Sequence, residues 1–123
     1  MFNLTNNERV SRGLAPFKWH MGLAFVARGH SEDMAANNFM DHTGSDGASP
    51  FERISRAGIS WSYAAENVAA GFQTPEAVVA GWMSSEGHRN NILNSGLTHL
   101  GTGYVYNPGS YYRHYWTQVF IKP

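Results

Sequence analysis

Two histidines and one glutamate stand in surroundings suited to chemistry. His88 lies in Gly81-Trp82-Met83-Ser84-Ser85-Glu86-Gly87-His88-Arg89-Asn90-Asn91-Ile92-Leu93, at a polar helix start that follows a tryptophan-anchored helix. His42 stands in Phe39-Met40-Asp41-His42-Thr43-Gly44-Ser45-Asp46-Gly47, and Glu66 in Ala65-Glu66-Asn67-Val68-Ala69-Ala70-Gly71. Two neutral imidazoles and a carboxylate, if they converge, make a three-ligand zinc site with an open position for water. The three are 24 and 22 positions apart, so no short motif such as His-Glu-x-x-His ties them to one helix. Their meeting has to come from the fold, since a lone histidine is more often a hydrogen-bonded structural residue than a ligand.

The elements that must position them can be read from caps and periodicity. Thr5-x-x-Glu8 has the form of a capping box and predicts a first helix ending near Gly13. A second helix should run from about His20 to Asn38, with Leu23, Ala27, His30 and Met34 on one face. Ser49-Pro50-Phe51-Glu52 starts a third helix, stopped by Gly58, and Thr74-Pro75-Glu76 starts a fourth that runs through Met83. Ser85 can then cap a further turn carrying His88. The partial positive charge at such a helix start disfavours a protonated imidazole, and a neutral His88 is the better ligand.

Strands are predicted over Ser60 to Val68, which carries Glu66, and over His99 to Tyr106 and Ser110 to Ile121 around Asn107-Pro108-Gly109. Alternation puts Tyr115, Thr117, Val119 and Ile121 on one face and Trp116, Gln118 and Phe120 on the other. Bulky residues on both faces imply a sheet covered by helices on both sides. The Gly, Ser and Asp of Asp41 to Ser49 form a loop that presents His42, in which Asp46 and Ser49 make turns and caps. His30 in the apolar stripe is expected to be a core histidine, His20 a surface or capping residue, and Trp82 and Trp116 core anchors. His99 and His114 fall on strands, with His114 pointing opposite to Tyr115.

With 123 residues and 42% hydrophobic content, the chain makes one domain, residues 1–123, and not two. Nine basic and nine acidic residues without a like-charge run leave no electrostatic footprint for nucleic acid or an anionic membrane. The absence of cysteine excludes disulfides, thiolate catalysis and a cysteine-rich zinc site. No stretch approaches the roughly 20 apolar residues of a membrane span, and no export signal opens the chain.

Four blocks, in order, resemble the CAP superfamily (cysteine-rich secretory proteins, antigen 5, pathogenesis-related 1) in its cysteine-free bacterial SCP-like branch. They are His42-Thr43-Gly44-Ser45-Asp46-Gly47 with Ser49-Pro50-Phe51, Ala65 to Gly71, Gly81-Trp82-Met83-Ser84 through Gly87-His88-Arg89-Asn90-Asn91-Ile92-Leu93, and Tyr115-Trp116-Thr117-Gln118-Val119-Phe120. The resemblance implies an α+β fold, an α-β-α sandwich around a mainly antiparallel sheet. It also implies an extracellular protein released from a longer precursor. The family's fuller cavity holds two His and two Glu. His42 and Glu66 match the first of each, whereas Ser85 and Tyr115 occupy the other two positions and His114 falls where the family has glycine. Bacterial members resemble this chain in carrying Gly-His-Arg, which makes His88 the replacement imidazole and His42, Glu66 and His88 the expected metal set, with Tyr115 at the rim.

Three functions follow as expectations. The first is a secreted binding module whose cleft holds a divalent metal such as Zn2+ and engages an extracellular ligand, lipid, wall component or protein. The second is a metal-dependent hydrolase in which Glu86 or Tyr115 assists proton transfer. No Gly-x-Ser-x-Gly elbow supports a serine hydrolase. The third is a structural polar cluster, with Glu66 ion-paired to a protonated imidazole.

Overall fold

The computed structural model describes residues 1–123. Along the chain run α1 (Phe2–Val10), β1 (Lys18–Trp19), α2 (Met21–Asn37), α3 (Pro50–Arg56), β2 (Tyr63–Ala70), α4 (Pro75–Met83), α5 (Glu86–Ile92), β3 (His99–Tyr106) and β4 (His114–Lys122). One four-stranded sheet has the order β1-β3-β4-β2, parallel only between the two-residue β1 and β3. The fold is α+β, and the expected α-β-α layering is present. No helix is long and apolar enough to cross a membrane.

Alternation along β4 decides which side chains meet which layer. Val119 and Ile121 pack with Leu23 and Ala27 of α2 and Ile54 of α3, and Tyr115 with Met34 and Ala35. Trp116 and Phe120 enter the opposite core with Val78, Val79, Trp82, Ile92 and Leu97. On one face α2 rests directly on β3. A Cβ at Gly101 would run into the backbone of Leu23 and Ala24, and one at Gly103 into that of Ala27 and Arg28.

Caps set most helix ends as the sequence predicts. Ser49 and Glu52 form the reciprocal capping box of α3 with Pro50 in its first turn, and Thr74 Oγ1 accepts from the Ala77 amide at the start of α4. His20 caps α2, its Nδ1 accepting from the Leu23 amide at 3.1 Å. The first helix departs from expectation. It starts at Phe2, and Thr5 is buried within it, donating to the Met1 carbonyl at 2.8 Å and accepting from Gln118 Nε2 at 2.8 Å. The hydroxyl that reads as a cap serves instead a buried amide on β4, whose unpaired burial would be costly. Two strands also shift. The Glu66 strand runs Tyr63–Ala70 rather than from Ser60, and β4 starts at His114 because Asn107 to Arg113 form a longer turn, closed by the Asn107 amide donating to the Arg113 carbonyl at 2.7 Å.

Candidate functional site

The site lies along β2, the edge strand farthest from β1. Consecutive residues on a strand point to opposite faces, and Glu66 and Asn67 divide the work accordingly. Glu66 turns toward the α2 layer, where His42 Nδ1 shares a hydrogen bond with its Oε1 at 2.9 Å and Arg53 Nη2 donates to Oε2 at 2.7 Å. Asn67 turns toward α5. Its Nδ2 donates to the His88 carbonyl at 3.2 Å and to Gln118 Oε1 at 3.2 Å, while its Oδ1 accepts from Asn91 Nδ2 at 2.9 Å. One dipeptide therefore fixes the loop that carries His42 and the helix that carries His88.

The His42 loop is also held from α2. Ser45 donates its amide to Asp33 Oδ2 at 2.8 Å, and His30 Nε2 donates to the Asp41 carbonyl at 2.6 Å. His30 is thus the buried, bonded core histidine that its place in the apolar stripe predicts, and burial pushes its pKa down. His30 Nδ1 and Arg53 Nε are the two buried side-chain polar atoms without a partner. Arg53 itself was not singled out by the sequence. A glutamate on a buried strand demands a nearby cation, and an arginine one turn after the Ser49 cap, directly following the His42 loop, is where that demand could have been met on paper.

The two imidazoles differ electrically. The hydrogen bond to Glu66 raises the pKa of His42 above its ordinary value. His88 is lowered, first by burial and second by repulsion from His42, so its neutrality stems from desolvation rather than chiefly from the helix start. Ser85 gives α5 no side-chain cap; its Oγ bonds His88 Nδ1 at 2.9 Å. Each imidazole thus has Nδ1 engaged and Nε2 without a partner in the chain. Beside His88, a cavity of about 210 Å³ extends under Met40, Val68, Phe72 and Trp82.

Glu66 does not stand as a third ligand. Both its oxygens are occupied, its side chain is only 2% exposed, and no group of three His, Asp or Glu side chains is placed to hold a metal ion. A closed His42/Glu66/His88 centre does not fit this arrangement. The two imidazoles do fit the donor chemistry of a transition metal, with Glu66 and Ser85 orienting them from behind.

Two further expectations are corrected. Tyr115 is fully buried under α2 and its hydroxyl accepts from the Tyr112 amide at 3.3 Å, so it is not at a cavity rim. Glu86 is exposed, two residues from His88 on a regular helical turn, and its side chain makes no hydrogen bond or ion pair with His42, Glu66 or His88. His114 points away from Tyr115 as alternation requires, its Nδ1 paired with the Tyr104 hydroxyl at 2.7 Å.

The family model "CAP: Cysteine-rich secretory protein family" matches residues 2–120. The chain belongs to the CAP family. Among similar proteins, YkwD of Bacillus subtilis (strain 168), an uncharacterized protein, is 48% identical over 118 residues, covering 96% of this chain and 44% of the relative. The uncharacterized membrane protein YlbC of the same strain is 42% identical, covering 99% of this chain and 33% of the relative. This CAP domain therefore spans less than half the length of either. The crystal structure of an extracellular SCP-domain protein from Bacillus anthracis str. Ames superposes with a TM-score of 0.88 at 37% identity, covering 99% of this chain and 39% of that one. An outer surface protein from Borrelia burgdorferi reaches 0.90 at 21% identity, covering 98% and 88%, and so shares the fold.

Proposed function

We propose that this CAP domain is an extracellular binding module whose β2 groove takes a divalent metal, Zn2+ by donor type, on His42 Nε2 and His88 Nε2, and seats an external ligand beside it. One observation carries this: the adjacent residues Glu66 and Asn67 hold the His42 imidazole and the helix of His88, and each imidazole is engaged at Nδ1 with Nε2 free. Glu66 behind His42 supplies the carboxylate that commonly backs a metal-bound histidine. The small apolar cavity beside His88 suits an apolar group of a lipid, wall component or protein. The extracellular setting is supported by the Bacillus anthracis neighbour.

A second reading, a purely structural cluster, is favoured by the Arg53–Glu66–His42 chain of ion pairs, which is complete without a metal. The hydrolase reading loses the support of both proton-transfer candidates, since Tyr115 is buried and Glu86 is exposed with no bond to either imidazole.

Isothermal titration of zinc into chelator-stripped protein at neutral pH separates these. Saturable one-to-one binding, lost in His42→Ala and His88→Ala and accompanied by a rise in Tm, supports the metal-binding module. Neither heat nor a Tm shift leaves the ion-paired cluster. If zinc binds, turnover of ester or peptide substrates that a chelator abolishes would restore the enzyme reading.

A further inference from the structure

At the far end of the sheet, the β3–β4 hairpin carries a row of rings that no helix covers completely. Cross-strand pairing sets Tyr104 opposite Trp116 and Tyr106 opposite His114 on one face. Tyr104 and Trp116 have ring centroids 4.2 Å apart, and Tyr106 and His114 4.9 Å. A cavity of about 460 Å³ opens over this row, walled by Gln73, Tyr112 and Arg113. Gly71 also lines it, and the neighbouring Phe72 is tied to β4 by Trp116 Nε1, which donates to the Phe72 carbonyl at 2.8 Å.

Arg113 is the unusual member. Its φ is 69°, a left-handed conformation that glycine or asparagine fills at little cost and a bulky side chain does not. The backbone there is held by Ser110 Oγ, which accepts from the Arg113 amide at 3.3 Å, and by the bond to Asn107. The guanidinium has no hydrogen bond or ion pair in the chain, and no carboxylate lines the cavity. Strain of this kind, spent to present a free cation at the mouth of a pocket, points from geometry to a ligand.

The lining narrows the ligand's class. Guanidinium forks recognise carboxylates in a bidentate manner. The Tyr106 and Tyr112 hydroxyls, the Gln73 amide and His114 Nε2, whose Nδ1 is taken by Tyr104, offer hydrogen bonds to several hydroxyls, and the exposed Tyr106 ring offers a surface on which the C–H face of a sugar packs. An acyl chain would leave those polar groups unpaired. We propose that this hairpin pocket binds an acidic saccharide, with the sugar ring over Tyr104 and Tyr106 and its carboxylate on Arg113. The pocket shares no lining residue with the cavity beside His88 and does not depend on the metal.

Titration calorimetry with trigalacturonate, a neutral trisaccharide of galactose, and acetate tests it on chelator-stripped protein. The wild type is expected to bind the uronate saturably, the neutral sugar more weakly and acetate hardly at all. Arg113→Gly should weaken uronate binding by about tenfold or more, the scale of a lost charge-assisted pair. Its Tm should not fall, because glycine is at ease at this φ, so unfolding cannot explain the loss. Tyr106→Ala, at an exposed side chain, should weaken both sugars, and His88→Ala neither. Uronate binding unchanged in Arg113→Gly, neutral sugar or acetate binding as tightly as uronate, or no binding at millimolar sugar would each overturn the proposal.

Discussion

His42 Nδ1 and Glu66 Oε1 lie 2.9 Å apart, the imidazole half exposed and the carboxylate almost wholly buried. The two residues therefore depend on the bond unequally. Glu66 also neutralises Arg53, whose side chain is 14% exposed. Removing Glu66 strands a largely buried guanidinium, and Glu66→Ala is expected to cost about 3–5 kcal/mol. His42→Ala leaves the Arg53 pair intact and should cost less than about 1 kcal/mol. Urea unfolding of both variants checks this, and equal losses would show that the Arg53 pair does not anchor the strand.

The histidines make opposite contributions to stability as pH changes. His42 is raised in the folded state, so its ion pair contributes fully below the ordinary pKa of 6.5 and is lost as pH rises through the higher folded value. His30 and His88 are lowered, so below pH 6.5 the unfolded chain takes up protons that the folded chain refuses, and stability falls with pH. The Tm should pass through a maximum near neutrality. His42→Gln should flatten the alkaline limb and spare the acid limb. A wild-type profile identical to that of His42→Gln above pH 6.5 would contradict the raised pKa.

What the sequence shows and what it hides follow from the range of each interaction. Ser49-Pro50-Phe51-Glu52 and Thr74-Pro75 mark their helices because a cap is satisfied within three residues. Thr5-x-x-Glu8 has the same form and misleads, because Gln118, distant in sequence, claims the hydroxyl. His42, Glu66 and His88 are legible as a set by resemblance, but whether Glu66 ligates or orients depends on where Arg53 reaches. Tyr115 is misplaced when the family alignment is followed over alternation, which already sets it beside Val119 and Ile121 under α2.

The contact of α2 on β3 makes Gly101 a sensitive position far from the groove. A methyl group there meets helix backbone, which cannot rotate away as a side chain can. Gly101→Ala is expected to destabilise by about 1–3 kcal/mol or more, as overpacking does. Gly29→Ala, on the same helix with open space around its Cβ, should be neutral or stabilising. Thermal unfolding of the pair checks this, and similar losses in both would mean that helix and sheet separate easily.

Asn67 offers a way to disturb the groove without touching either imidazole. Its amide joins the His88 carbonyl, Gln118 and Asn91, so Asn67→Ala leaves buried polar groups unpaired at about 1–3 kcal/mol. It also frees α5 from β2, and His88 moves with α5. The variant should stay folded at low temperature while its zinc-dependent rise in Tm shrinks or disappears, as in His88→Ala. A folded Asn67→Ala protein with the full zinc response would mean that the packing of Ile92 and the α4 contacts alone hold α5 and His88 in place.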